Sequence, residues 1–283
     1  MTSNKSPLRY PGGKTRACKI LDKIVNEYFD IKKFDIIISP FFGGGSFEFY
    51  MQNKYGIKLI VNDKFTPLYN FWKQVKINKT VLCDKLKEIS SISKDEFIDY
   101  RKSIMTLNDN ILEQAISYFI INRCSFNGST LSGGFSLEAS KKRFTKSSIN
   151  NIELLDFSNI DIYNIDFIDF INDNDNDNDN DNNDNDNNDN DNNDNDDKKL
   201  IFLDPPYYLD KKSKLYGNNG DMHENFNHQL LYELIKTKRN WIMTYNNCDY
   251  IKELYKDFII INVNWTYGMN NDKKSSEIVI ISQ

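Results

Sequence analysis

Apolar residues recur at helical spacing over residues 16–29, where Ile20, Leu21, Ile24, Val25 and Tyr28 share one face. A short apolar run at 34–38 follows, then a Gly-rich stretch at 39–46 and a helix-like segment at 47–53. A second apolar run at 57–61 ends at Asn62 and Asp63. Residues 67–75 then read as a helix with Pro67 in its first turn, where the missing N–H is no loss. Strand, turn, helix and strand in this order predict the start of a doubly wound α/β domain.

The texture changes over residues 80–150. Helical patterns at 80–89, 94–105 and 111–122 precede a Ser- and Gly-rich stretch at 125–136, which predicts a loop or hairpin. Lys141, Lys142, Arg143 and Lys146 follow closely, so this helical insertion ends in a basic stretch. Residues 160–171 predict a strand and a short helix. Further strands are predicted at 200–203, 241–246, 258–265 and 277–282, with helices at 226–236 and 251–258. The last two strands suit an antiparallel hairpin. The chain thus divides into one domain from residues 1–79 and 151–283, and a module at 80–150 inserted into it.

Residues 172–197 are all Asn or Asp. Such a tract cannot bury apolar surface and predicts a disordered surface loop within the domain. It lacks the Gly and terminal Glu of an EF-hand calcium loop. It also distorts the charge balance. Twelve of the 41 acids fall inside it, leaving 29 against 36 Lys and Arg elsewhere, so the formal charge of −5 hides a modestly basic remainder. That excess suits a polyanionic partner, and it equally suits ordinary surface charge. The four cysteines form no C-x-x-C pair and there are two His, which argues against a structural zinc site. Scattered cysteines fit a reducing compartment. With no apolar run of about 18 residues and no apolar N-terminal region, the sequence predicts a soluble, intracellular protein with no membrane partner.

Three motifs carry chemistry. Asp204-Pro205-Pro206-Tyr207 directly follows the apolar run at 200–203. The exocyclic amino group of adenine is a poor nucleophile, because its lone pair is delocalised into the ring. Asp204 and the Pro205 carbonyl supply acceptors for its hydrogens, Pro205 and Pro206 stiffen the backbone, and Tyr207 offers a face for stacking a base. The plain alternative is a turn that ends a strand. Pro40–Ser46 places three glycines between a strand and a helix, where the backbone can approach a ligand. Asp63, at the end of the next strand, can accept both ribose hydroxyls of a nucleoside, or can cap the helix after it. Residues 9–15 mimic the tail of a phosphate-binding P-loop, but Leu8 stands where that loop needs Gly and no strand precedes it. A Gly-Gly turn presenting Lys14 to a carboxylate fits better.

With these motifs in this order, the chain resembles the Dam-type (D12 class) adenine-N6-specific DNA methyltransferases over nearly its whole length outside the Asn/Asp tract. The resemblance implies an α/β fold: the Rossmann-like fold of S-adenosyl-L-methionine-dependent methyltransferases. That fold has a mainly parallel sheet, a C-terminal antiparallel hairpin and, at 80–150, a small helical target-recognition insertion. It implies S-adenosylmethionine as cofactor and DNA, most simply double-stranded, as substrate. Tyr10, Gly12 and Lys14 would meet the methionine part of the cofactor, with Phe42, Gly43 and Gly45 around it. Asp63 would hold the ribose, and Asp166 and Phe167 the cofactor adenine, although Phe167 could equally fill the core. Asp204, Pro205, Pro206 and Tyr207 would act on a flipped-out adenine beside the cofactor, by direct transfer without metal or covalent enzyme intermediate. Asn122, Arg123, Phe126 and Asn127, with Lys141 and Arg143, would contact DNA.

The sequence departs from the family in places. The strand before Pro40 usually ends in an acid, and here it ends in Ser39. Residues 124–135 do not follow the GATC-reading enzymes. Tyr216, Gly217, Asp221, His223, Phe226 and His228, and later residues 265–269, resemble a virus- and phage-rich branch; His223 reads as a DNA contact or a plain loop residue. Methylation of cytosine N4 or of RNA, and a catalytically silent DNA-binding homologue, are the competing readings.

Overall fold

A computed structural model of the protein describes residues 4–10, 12–106, 109–175, 198–208, 226–265 and 276–282. Five strands run parallel: β1 (Ile36–Ser39), β2 (Lys58–Asn62), β3 (Ile160–Tyr163), β4 (Lys199–Leu203) and β5 (Trp241–Asn246). β7 (Glu277–Ile281) lies antiparallel between β5 and β6 (Ile259–Val263), so the sheet order is β3-β2-β1-β4-β5-β7-β6. The central strands are apolar runs because helices cover both faces of the sheet. All of β7 and nearly all of β5 is buried. The strand order reverses between β1 and β4. The loops leaving these two neighbours therefore diverge and open a crevice at their carboxyl ends, where ligands of such sheets bind.

α1 (Cys18–Tyr28) precedes β1, α2 (Ser46–Tyr55) connects β1 to β2, and α3 (Thr66–Ile77) follows β2, with Pro67 at its start as the sequence predicts. The insertion comprises α4 (Lys79–Glu88), α5 (Lys94–Ser103), α6 (Ile111–Cys124), α7 (Leu137–Arg143) and α8 (Lys146–Glu153). α6 is buried on nearly every side and packs on α3, where the Phe71 and Phe119 rings stack at 5.7 Å. The insertion therefore extends the same core that covers one sheet face. The stretch at 125–136 is a hairpin-like loop closed by a single bridge between Ser125 and Phe135.

The sequence reading leaves residues 137–153 without helices, yet α7 and α8 occupy them. Their signal lies in capping rather than periodicity. Ser136 accepts from the Ala139 N–H, and Thr145 and Ser148 form a reciprocal capping box. α9 (Phe167–Asp175) runs into the Asn/Asp tract further than composition suggests. Its last turn is held by Asn174, whose amide donates to the Phe170 carbonyl at 2.8 Å and whose carbonyl accepts from Lys199 at 3.0 Å. Residues 176–197, where a disordered loop is expected, lie outside the described residues. α10 (His228–Ile235) and α11 (Asp249–Leu254) complete the fold. No helix among the described residues is long and apolar enough to cross a membrane.

Candidate active site

A cleft of about 870 Å³ opens at the carboxyl ends of β1, β2 and β4. Its floor is the Gly-rich turn after β1. Gly43 and Gly45 adopt φ of +51° and +64°, which side chains disfavour. A Cβ on Gly43 would also stand 2.9 Å from the Tyr10 ring, so Tyr10 and the turn lie in close contact. The Phe42 ring turns away into the core against Phe49 and Trp72. Phe41 instead meets Phe167 at 5.5 Å, and Phe226 meets both, forming an aromatic wall.

Asp63 leaves the end of β2 almost fully buried and accepts from the Gly43 and Phe65 N–H groups, each at 2.9 Å. Burial nevertheless raises its carboxyl to about 6. Beside it, Asn62 donates to the Pro40 and Ile165 carbonyls and accepts from the Ile165 N–H, tying together the loops after β1, β2 and β3. Asp166 accepts from the Ile168 N–H at the start of α9 and pairs with Lys64 at 2.6 Å.

The Asp-Pro-Pro-Tyr segment follows β4. Lys14, only 4% exposed, donates to both Asp204 oxygens at 2.6 and 2.8 Å. The Gly-Gly turn thus presents Lys14 to a carboxylate, as its sequence suggests. Thr244 on β5 donates to Asp204 Oδ1 at 2.6 Å. With its side chain 24% exposed, Asp204 still reaches the cleft. The Lys14 ammonium lies 5.0 Å from the Tyr207 ring centre, a cation–π contact, and the Tyr207 phenol donates to Glu277 at 2.6 Å.

Two buried carboxylates complete the site. Glu48, in the first turn of α2, accepts from Ser39 Oγ at 2.6 Å. Glu48 thus reaches in from α2 to the Ser39 end of β1. Burial raises both Glu48 and Glu277 to about 7. Asn246, which lines the cleft, donates to the Tyr208 carbonyl, and its Oδ1 is buried without a partner among the described residues.

Sequence reasoning missed Glu48, Thr244, Asn246, Glu277 and Asn62. Polar residues ending or starting apolar strands were the available signal for Asn246, Glu277 and Asn62, and a lone hydroxyl inside the apolar β5 was the signal for Thr244. Glu48 sits inside an unremarkable helix and carried none.

The predicted DNA contacts divide into two groups. Phe126, Lys141 and Arg143 are exposed, and Asn127 takes a left-handed turn with φ of +61°. Asn122, in contrast, is fully buried: it accepts from the Arg9 N–H and donates to the Arg9 and Gly128 carbonyls. Arg123 donates to the Arg143 and Pro7 carbonyls, and burial lowers it to about 10. Both act as staples between α6 and the N-terminal segment; the Asn122 amide is spent inside the protein, whereas half-exposed Arg123 uses two of its five N–H donors in these bonds. His228 is likewise interior, 2.7 Å from the Tyr245 hydroxyl. Tyr216, Gly217, Asp221, His223 and residues 266–269 lie outside the described residues. Among the described residues, no group of His, Cys, Asp and Glu could hold a metal ion.

A sheet of this order, with a Gly-rich turn after β1 and Asp-Pro-Pro-Tyr after β4, defines an α/β methyltransferase. The model of the D12 class N6 adenine-specific DNA methyltransferase family matches residues 10–269, and the chain belongs to that family. It is accordingly an enzyme of adenine-N6 methylation in DNA. No curated protein matches it.

Proposed function

We propose that the protein transfers the methyl group of S-adenosylmethionine to N6 of an adenine flipped out of duplex DNA, at a specific site. The observation that carries this reading is the Lys14–Asp204 pair beside the Tyr207 ring, at the crevice where the strand order reverses.

The cleft suits the cofactor chemically. S-adenosylmethionine is a nucleoside that bears a cationic sulfonium and an amino acid. Asp63, Glu48, Asp204 and Glu277 line one cleft, with Lys14 between them, which favours a cationic ligand. The turn at Gly43 and Gly45 has no room for side chains, and the orphaned Asn246 oxygen offers an unused acceptor. Tyr10, Gly12 and Lys14 would meet the methionine part, with Gly43, Gly45 and the backbone of Phe42 around the cofactor. Asp63 would accept the ribose hydroxyls, and Asp166 and Phe167 would bound the adenine. When bound, the cofactor supplies an electrophilic methyl group on sulfur.

The chain's own residues do the rest. Asp204 and the Pro205 carbonyl accept the adenine amino hydrogens, which frees the nitrogen lone pair for attack. Lys14 and Thr244 hold Asp204 in place. Pro205 and Pro206 fix the backbone, and Tyr207 supplies the stacking face. Positioning and fixed charge provide most of the rate. Residues 80–150 form the target-recognition module, with Phe126, Asn127, Lys141 and Arg143 on its DNA-facing surface.

Purified protein incubated with methyl-labelled S-adenosylmethionine and, separately, mixed-sequence duplex DNA, single-stranded DNA and RNA tests this reading. Label is expected in duplex DNA. Label confined to RNA would contradict the substrate, and absence of cofactor binding would contradict the site.

A further inference from the structure

We propose that Glu277 is a positioning residue for methyl transfer, holding the Tyr207 ring by its phenol so that one flat face stands beside Asp204. The inference rests on the reading of Asp204–Tyr207 as the transfer site. Nothing in the Asp-Pro-Pro-Tyr motif fixes the far end of its tyrosine. Two prolines stiffen the backbone before it, but an aromatic ring can still swing about its side-chain bonds.

The fold supplies the second anchor from 70 residues away. β7 is antiparallel to its neighbours, so its first residue lies at the edge where the parallel strands end. Glu277 is paired there with Asn246 and Val263. Its Oε2 accepts the Tyr207 phenol at 2.6 Å, and its Oε1 accepts the Trp265 indole N–H at 3.1 Å. With each oxygen held, the carboxylate has one orientation, and so has the ring bonded to it. A hydrogen bond to a carboxylate is roughly twice as strong as a neutral one.

Thr244 does the same for the other half of the motif, by fixing Asp204 Oδ1 from β5. Ring and carboxylate are thus each tied to the sheet independently of the loop that carries them. Folding alone does not call for an acid at this place. Glu277 is 2% exposed and burial raises its carboxyl to about 7, so its charge opposes folding at neutral pH.

The test uses the full chain and the variants Tyr207→Phe, Glu277→Ala, Glu277→Gln and the double variant Tyr207→Phe/Glu277→Ala. Melting temperature checks folding, and Glu277→Gln keeps the size and one acceptor should the Ala variant fold poorly. kcat and KM are measured on mixed-sequence duplex DNA with labelled cofactor. Tyr207→Phe and Glu277→Ala are each expected to lower kcat about tenfold to a hundredfold; in Tyr207→Phe, which keeps every carboxylate of the cleft, KM for the cofactor should be unchanged. Glu277→Gln should recover most of that loss. The double variant should lose clearly less than the two single losses combined, because both remove the Tyr207–Glu277 bond, while the Tyr207 hydroxyl also meets Thr244. Fully additive losses, an undiminished kcat in Glu277→Ala, or no recovery with Gln would each overturn the proposal. If the wild type methylates no nucleic acid, the site reading fails by itself. Crystal structures of Glu277→Ala and Glu277→Gln then decide the positioning: a ring turned in Ala and kept in Gln supports it, and an unmoved ring in Ala overturns it.

Discussion

Replacing Glu48 with Gln should make the unliganded protein more stable while weakening its grip on the cofactor. Glu48 is 2% exposed, and burial raises its carboxyl from the ordinary 4.5 to about 7. Asp204 adds to the rise, while Ser39 and Lys14 oppose it. The folded state therefore binds this proton more tightly than the unfolded state does. That contribution to stability is complete below 4.5 and is lost as pH rises through about 7. At ~1.4 kcal/mol for each tenfold change in proton affinity, the full loss is about 3 kcal/mol. Gln has nothing to ionise and can still accept from Ser39. Urea unfolding of both proteins should give similar stabilities near pH 4.5, with Gln ahead by about 2–3 kcal/mol at pH 8. At pH 8, calorimetry should show S-adenosylmethionine binding about tenfold more weakly to the variant, since a charge facing a cation is lost. A stability difference that does not change with pH, or a variant less stable at pH 8, would refute the reasoning.

Replacing Asp204 with Ala should leave the protein folded but abolish methyl transfer; it also strands the buried Lys14 ammonium, so a stability loss of about 3 kcal/mol is expected by thermal melting. Asp204→Asn should be as inactive with a smaller loss. Replacing Lys141 and Arg143 with Ala should weaken DNA binding alike on all sequences and flatten the dependence of log affinity on log salt by about 2, read by binding titrations over a salt series. Deleting residues 176–196 should change kcat less than about twofold. Asn174 and Lys199 already touch at 3.0 Å, so a short linker closes the gap. A large loss with folding preserved would assign the tract a role in the reaction.

The parallel strands were legible because β1, β2 and β4 are short apolar runs ending in polar turns. The partner of Lys14 was legible in kind, as a carboxylate, but its identity lies 190 residues away, and only the order of β1 and β4 brings the two together. Glu48 was silent because one acid on a helix reads as a solvated face; its burial follows from the Gly turn that starts α2 beside β1. Asn122 misled for the converse reason. Polar residues near the end of α6 look like surface contacts until the N-terminal segment folds across them, 113 residues from its own position in sequence. α7 and α8 escaped notice because capping by Ser136 and Thr145, rather than an apolar stripe, sets their starts.

The most direct test of the central claim is the identity of the modified nucleoside. Duplex DNA labelled by the wild-type protein would be digested to nucleosides and resolved by chromatography with mass detection. The account predicts all label in N6-methyladenine and none with Asp204→Ala. Label in N4-methylcytosine would contradict the assignment of adenine while leaving the Asp204 chemistry standing. Label that persists in the Asp204→Ala protein would contradict the mechanism itself.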